Sequence, residues 1–156
     1  LPPALQKVVN AIGWWRQIGK DPVERSRACV VAGYSPKAST FGVYIADLVK
    51  RGLVTSAVGN VALTPEGVAL AVVPTGETHE QIRTVARGLL GPQEQRVFDV
   101  VYEAYPNEIA RNEVAERVGL SPTASTNGVY LAGVAAYGII EPGSRGHVKA
   151  ADWLFP

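Results

Sequence analysis

A stretch of twenty residues that occurs twice constrains the fold of this chain more than any other feature. Residues 35–54 and 121–140 are identical at ten of their twenty positions, at a constant offset of 86. In a chain of 156 residues, a repeat of this strength predicts two copies of one structural unit. The nature of that unit therefore determines what the protein can do.

Each copy carries the signals of a capped helix. Ser35 and Ser121 suit the N-cap, and the proline that follows each of them suits the first helical position. Gly52 and Gly138 suit the left-handed position just beyond a helix end. Apolar residues recur between them at helical spacing, namely Phe41, Ile45 and Leu48 in the first copy and Leu131 and Val134 in the second. We therefore expect a helix of about four turns in each copy.

The segments around this helix complete a recognisable unit. Residues 25–33 and 111–119 are expected to form shorter helices that end at glycine, which gives a helix-turn-helix order. Short strands are expected after the longer helices, at residues 54–57 and 61–63, and again at 139–141 and 147–150. Such a two-stranded ribbon is called a wing. The expected fold is mainly α with small β-wings, as tandem duplicated winged helix-turn-helix units joined by a helix.

The rest of the chain is divided around these units. Residues 1–74 form the expected first unit, residues 75–90 a connecting helix, and residues 91–156 a second unit with a docked C-terminal tail. The punctuating Pro74-Thr75-Gly76 marks the boundary. Further helices are expected at four places: about residues 4–13, 65–72, 78–89 and 92–105.

Two aromatic clusters leave alternatives open. Trp14 and Trp15 are expected in the core or in packing between the units, and the alternative is an exposed platform on which nucleotide bases stack. Trp153, Leu154 and Phe155 are expected to dock on the second unit or between the units. The alternative for this tail is an exposed tag that binds a partner.

Composition disfavours several classes of protein. No apolar run approaches the roughly 20 residues of a membrane span, so no membrane association is expected. The single cysteine, Cys29, is expected to be a small buried side chain and indicates a reducing compartment. With no signal peptide at the start, we expect a cytoplasmic protein. The absence of methionine favours a piece cut from a longer protein.

Catalysis has little support in the sequence. The two histidines, His79 and His147, stand alone, and there is no phosphate-binding loop, nucleophile elbow or metal-ligand spacing. We therefore expect a protein that is not an enzyme and that uses no metal, no cofactor and no small-molecule substrate.

Double-stranded DNA is the expected partner. A recognition helix enters the major groove with its N-terminal turns, where hydroxyls suit phosphates and lysine suits a phosphate or a guanine edge. In the first unit the candidate DNA-binding residues are Ser35, Lys37, Ser39, Thr40, Tyr44, Lys50 and Arg51. In the second unit they are Ser121, Thr123, Ser125, Thr126, Asn127 and Tyr130 in the helix, and Arg145, His147 and Lys149 in the wing.

The charge distribution leaves a second function open. Residues 1–74 hold eight Lys/Arg and four Asp/Glu, whereas residues 91–156 hold five and eight. The first unit is therefore better suited to attract phosphate. The repeated small residues could instead reflect close helix packing alone. A protein docking or dimerisation module without DNA binding is the alternative.

The chain also resembles a known family. The run Ala-Gly-Tyr-Ser-Pro-Lys-Ala-Ser-Thr-Phe-Gly-Val-Tyr-Ile-Ala-Asp-Leu at 32–48, the Pro-Thr-Gly at 74–76 and the closing Ala-Asp-Trp-Leu-Phe are similar to a twin helix-turn-helix tail. Bacterial and phage ATP-binding proteins of the HerA/FtsK translocase type carry such a tail. The resemblance implies a DNA-engaging C-terminal region of a larger bacterial or phage protein. It implies no ATPase activity here, because this chain holds no ATPase motif.

Overall fold

A computed structural model describes residues 1–73, 78–121 and 125–156. The chain is mainly helical and contains two small antiparallel sheets of three strands each. This agrees with the expected class of a mainly α fold with small β elements. The backbone divides into two compact units, Leu1–Thr78 and His79–Pro156. The predicted boundary at residues 74–76 lies outside the described residues.

In its described residues, the first unit combines four helices with one three-stranded sheet. Its elements in chain order are α1 (Pro3–Gln17), β1 (Val23–Glu24), α2 (Arg25–Val31), α3 (Thr40–Lys50), β2 (Val54–Ala57), β3 (Asn60–Leu63) and α4 (Pro65–Leu70). Strand β3 lies between β1 and β2 and is antiparallel to both, with Val61 opposite Val23 and Leu63 opposite Val54. Strands β2 and β3 form the first hairpin (residues 54–63), which the sequence predicted to within one residue.

The second unit has the same element order from α6 to β6, and one more helix before it. Its elements are α5 (Thr78–Gly88), α6 (Pro92–Glu103), β4 (Ile109–Ala110), α7 (Arg111–Arg117), α8 (Ser125–Ala135), β5 (Ile140–Pro142), β6 (His147–Ala150) and a 3-10 turn (Asp152–Leu154). Strand β6 lies between β4 and β5. Strands β5 and β6 form the second hairpin (residues 140–150). Strands β1 and β4 were not predicted, because two residues are too few to show the alternation that marks a strand.

Helix α1 provides much of the core of the first unit. Its buried side includes Leu5, Val8 and Ile12 together with the tryptophan pair. Trp14 and Trp15 are 4% and 0% exposed, and their rings pack edge to face with centroids 5.1 Å apart. The predicted core position is therefore confirmed, and the base-stacking platform is wrong. Because the two tryptophans continue its apolar side, α1 extends beyond the predicted end near residue 13.

The first repeat helix begins later than predicted. Helix α3 starts at Thr40 rather than at Pro36, so Ser35 is not its N-cap. Instead, the Ser35 Oγ accepts a hydrogen bond of 3.2 Å from the amide of Lys37. A serine that bonds an amide two residues further on forms a local turn, which competes with the first turn of a helix. Ser35 and Lys37 consequently precede the helix.

The later parts of both repeat helices agree with the prediction. Gly52 and Gly138 each have a φ of +74°, and the amide of Leu53 donates a 3.0 Å hydrogen bond to the carbonyl of Leu48. The expected apolar residues are all buried: Phe41, Ile45, Leu48, Leu131 and Val134. In the second copy α8 begins at Ser125. Residues 122–124, including the predicted site residue Thr123, lie outside the described residues.

The C-terminal tail and α5 both pack within the second unit. The Trp153 indole donates a 2.9 Å hydrogen bond to the carbonyl of Gly138, and Trp153 and Leu154 are buried. The predicted docking of the tail is confirmed, and the exposed tag is wrong. Helix α5, expected as a connection, forms a two-pronged ion pair from Arg87 to Asp99 of α6, with both distances 2.8 Å.

Candidate nucleic-acid interface

The solvent side of α3 carries small hydroxyl and aliphatic side chains. Ser39 and Thr40 stand at the start of the helix, and Val43 and Ala46 follow at the three- and four-residue spacing that keeps them on one side. All four residues are exposed, and Val43 is 65% exposed. Thus the N-terminal half of α3 presents a narrow surface that does not contribute to the core.

Helix α8 presents the same four residue types at the equivalent positions. Ser125, Thr126, Val129 and Ala132 are all exposed, and Val129 is also 65% exposed. We call these two sets together the repeated face. Its members are Ser39, Thr40, Val43 and Ala46 on α3 and Ser125, Thr126, Val129 and Ala132 on α8.

The identical positions of the two copies lie outside the core. Eight of the ten identical positions are described in both copies, and none of these eight is buried in either copy. Where the structure assigns burial, every buried position of the repeat differs between the copies. The differing pairs are Phe41 and Asn127, Ile45 and Leu131, Leu48 and Val134, Arg51 and Tyr137, Leu53 and Ile139, and Val54 and Ile140. The two copies are therefore identical at part of their surface and at none of their described buried positions.

A groove of about 670 Å³ lies beside the start of α3 in the first unit. It is open to solvent and is bounded by the start of α2, the start of α3 and the turn of the first hairpin. The amide of Arg25 donates a 2.9 Å hydrogen bond to the carbonyl of Gly59, which fixes the hairpin turn against α2. The exposed Arg25 side chain lies against Gly42 of α3. A cation thus stands next to the repeated face.

The second unit has a corresponding groove of about 460 Å³. Here the amide of Arg111 donates a 2.9 Å hydrogen bond to the carbonyl of Gly146 in the second hairpin. Arg111, Ser125 and His147 line the groove. The same three structural parts, a helix start, the repeated face and a hairpin turn, therefore form both grooves.

Asn127, a predicted DNA-binding residue, is largely buried. It is only 6% exposed and occupies the position of Phe41, yet it lies at the bottom of the groove of the second unit, whose lining it joins. Its Nδ2 donates a 3.1 Å hydrogen bond to the carbonyl of Arg111. Its Oδ1 is buried and finds no hydrogen-bond donor among the described residues. An unpaired buried acceptor of this kind destabilises the folded unit.

The predicted cations of the first unit fall at opposite ends of α3. Lys37 is exposed in the turn before the helix, whereas Lys50 and Arg51 stand at its far end. The Nε of Arg51 contacts the Asp47 carboxylate at 3.0 Å, which partly neutralises it. Tyr44 is half-buried and packs edge to face against Tyr34, with centroids 5.5 Å apart.

The remaining predicted residues of the second unit are arranged unevenly. Ser121 is exposed outside α8 and Tyr130 is half-buried. Arg145 is exposed in the turn of the second hairpin, and the half-buried His147 ring lies 3.0 Å from the Arg145 carbonyl. Lys149 bonds Asp152 at 2.9 Å, and this hydrogen bond raises the pKa of its ammonium group. Lys149 is therefore a weaker candidate for a DNA contact than Arg145.

Glu108 holds the turn of the second hairpin. Both carboxylate oxygens accept from the amide of Ser144 at 3.1 Å. This hydrogen bonding, with a smaller contribution from the nearby charges of His147 and Lys149, lowers the pKa of Glu108. The acid therefore stays ionised and keeps the Arg145 turn in place.

Sequence reasoning missed Arg25 and Arg111 as site residues. Both open the helix that precedes the repeat helix, and both line the grooves. The signal was present, because their separation is the same 86 residues that relates the two repeats. Both arginines nevertheless lie ten residues before the twenty-residue repeat, so the repeat itself does not include them.

Other kinds of site are not evident in the described part of the chain. It contains no group of three or more His, Cys, Asp or Glu residues that could hold a metal ion. No helix within the described ranges is long and apolar enough to cross a membrane. Comparison with known proteins finds no matching family model, no matching curated protein and no matching solved structure.

Proposed function

We propose that this protein is a non-catalytic double-stranded DNA-binding module built from two tandem winged helix-turn-helix units. In this proposal α3 and α8 are the recognition helices, and the two hairpins are the wings. The resemblance to the tail of HerA/FtsK-type proteins supports a place within a larger bacterial or phage protein. The cytoplasm is the proposed location.

The observation that carries the proposal is that the described identical positions of the repeat all lie outside the core. If packing alone had kept the two copies alike, the buried positions would be the most similar. Instead, Phe41 is aligned with Asn127 and Leu48 with Val134. Identity at the exposed positions of the repeated face instead favours one ligand chemistry for both copies. Duplex DNA offers the same groove and backbone to each of two units.

The chemistry of the repeated face suits DNA. The hydroxyls of Ser39 and Thr40 can donate to phosphate oxygens. The methyl groups of Val43 and Ala46 can contact the C5-methyl group of thymine, which projects into the major groove. Each of these residue types has an identical counterpart on α8.

Charge favours the first unit as the main source of phosphate attraction. Residues 1–78 hold eight Lys/Arg and five Asp/Glu, whereas residues 79–156 hold seven and nine. Lys37 and Arg25 both lie near the start of α3. Arg111 and Arg145 provide the corresponding cations of the second unit.

The test is fluorescence anisotropy with a random-sequence duplex at several salt concentrations. Binding that weakens steeply with salt is expected, because each neutralised phosphate releases counterions. The double variant Lys37→Glu/Arg145→Glu should bind much more weakly. Lys7→Glu/Lys20→Glu changes the net charge equally at exposed positions outside both grooves and should bind nearly as the parent does. No binding at low salt, or equal binding by both double variants, would contradict the proposal.

A docking or dimerisation module is the second candidate, and α8 is the observation that favours it. Helix α8 contains no charged residue, and its exposed Val129 and Ala132 would be compatible with a protein surface. Light scattering after size exclusion separates the candidates. A stable dimer that Val129→Asp converts to a monomer would favour this function over DNA binding.

A further inference from the structure

Val58 has an unusual backbone conformation. It stands in the two-residue turn of the first hairpin with a φ of +52°, next to Gly59 with a φ of +79°. Two successive residues with positive φ form the type of turn that normally holds Asn-Gly. A β-branched residue fits the left-handed region poorly, because its Cβ substituents crowd the backbone. Within the described residues, Val58 is the one non-glycine residue with a positive φ.

The folded unit gains nothing from this side chain. Val58 is 99% exposed, so its methyl groups are not packed against the core. Its conformation is strained and its apolar surface remains in water, and both effects disfavour the folded state. Backbone strain that does not stabilise the folded unit suggests that the side chain has a role in binding. An apolar contact with a bound partner would offset both disadvantages.

The turn is held where a ligand of α3 would meet it. Val58 and Gly59 line the same groove as Ser39 and Arg25. The hydrogen bond from the Arg25 amide to the Gly59 carbonyl fixes the turn relative to α2. A duplex that lies against the repeated face of α3 would therefore pass the tip of the first hairpin.

The two hairpin tips differ in chemistry. The second hairpin presents Arg145 in the turn Gly-Ser-Arg-Gly at 143–146, whereas the first presents Val58 after the uncharged and exposed Thr55, Ser56 and Ala57. A cationic tip can approach phosphates. An aliphatic tip needs a surface of C–H groups, which the deoxyribose walls of the DNA minor groove supply, and apolar side chains are used there by other DNA-binding proteins.

We propose that Val58 is an apolar minor-groove contact of the first unit. This inference rests on the proposed DNA-binding function. It assigns to Val58 a role in positioning the first unit on the duplex. The contact neutralises no phosphate and releases no counterion, so it strengthens binding by the same factor at every salt concentration. Arg145, by contrast, provides a contact whose contribution depends on salt.

The decisive variant is Val58→Asn, measured for both stability and DNA binding. Asparagine tolerates the left-handed conformation, so thermal unfolding of the protein should shift upward by about 4 °C. The loss of the valine's apolar contact with the groove should weaken binding to a random-sequence duplex roughly tenfold. The slope of log K against log salt should stay unchanged. Val58→Ile, which keeps an aliphatic tip, should retain the affinity.

Two further variants serve as controls. Val72→Asn makes the same substitution at a residue that is 66% exposed and lies outside both grooves. It should leave DNA affinity unchanged and should not raise the melting temperature. Arg145→Gln should weaken binding and reduce the salt slope by about one.

Three outcomes would overturn the inference, and they are distinguishable. If Val58→Asn stabilises the protein but binds DNA as the parent does, the valine has no role in binding. If Val58→Asn changes the salt slope, the tip contacts phosphate and the contact is not apolar. If the parent protein binds no duplex even at low salt, the proposed function fails and the inference fails with it.

Discussion

The guanidinium group of Arg25 lies against Gly42, on the side of α3 where a side chain would project. A Cβ at Gly42 would overlap with the Nη2 of Arg25, so the glycine makes room for the cation beside the repeated face. Gly128 occupies the same position in α8, and no described atom lies within 4 Å of the place where its Cβ would stand. The chain therefore contains a matched pair of helix glycines with different surroundings.

Gly42→Ala should displace the Arg25 side chain and weaken DNA binding several-fold, because the new methyl group takes the place of the guanidinium. The fold should tolerate this change, since the displaced group is the end of a flexible side chain. Gly128→Ala should stabilise the protein by about 0.5–1 kcal/mol, because alanine favours helix and nothing must move. Anisotropy and thermal unfolding of both variants check these expectations. A Gly42→Ala variant with parental affinity would show that the position of Arg25 does not matter.

The buried residues and the C-terminal ends of the two repeat helices could be predicted because they depend on periodicity and on glycine. Phe41, Ile45 and Leu48 are spaced as one side of a helix, and Gly52 ends that helix. Ser35 was misassigned because Ser-Pro is a signal both for a helix cap and for a turn. The sequence cannot show which of the two hydrogen-bonding patterns wins.

The site was harder to predict than the core. Alignment with Phe41 shows that Asn127 is largely buried, but it does not show that this residue also lines the groove. Val58 gave no signal at all, because its importance lies in its φ angle and its exposure, which only the structure provides. Which residues of the repeat share a surface became clear only when burial could be compared between the copies.

The thiol of Cys29 should be unreactive in the folded protein. Burial raises its pKa to about 11, although the nearby charge of Arg25 acts in the opposite direction. The Sγ lies 3.2 Å from the carbonyl of Tyr34, to which it donates. At pH 8 the thiolate fraction should be about a hundredfold lower than for an ordinary thiol. Labelling with a thiol reagent should therefore be slow until the protein is unfolded by denaturant.

The same pKa shift predicts a loss of stability at alkaline pH. The unfolded thiol loses its proton near the ordinary pKa of 9.0, whereas the folded thiol keeps its proton up to about 11. Between these values the unfolded state binds fewer protons, so the free energy of unfolding falls as the pH rises. Cys29→Ala is the control, since alanine stands at the equivalent position 115. If the free energy of unfolding changes equally with pH in the parent and in Cys29→Ala between pH 9 and 11, the Cys29 thiol is not the cause.

Phe41 and Asn127 occupy equivalent positions, but substitutions at them should have opposite effects on the stability of their units. Asn127→Leu removes a buried acceptor that has no donor among the described residues, and it should stabilise the second unit by about 1–2 kcal/mol. Phe41→Asn should destabilise the first unit by about 3 kcal/mol or more, because it leaves a cavity and buries an amide. Denaturant unfolding followed by circular dichroism measures both. A destabilised Asn127→Leu variant would mean that the hydrogen bond to the Arg111 carbonyl outweighs the unpaired oxygen.

Phe155 should anchor the C-terminal tail through its ring. The ring lies nearly parallel to that of Tyr105, with centroids 3.6 Å apart and 9° between the planes, and Tyr102 stacks at 4.8 Å. Phe155→Ala removes both contacts and should destabilise the second unit by about 2 kcal/mol, which is less than for a fully buried phenylalanine. Phe155→Leu keeps aliphatic burial without an aromatic stack and should cost about half as much. Equal losses for the two variants would show that the parallel ring arrangement adds nothing beyond the burial of apolar surface.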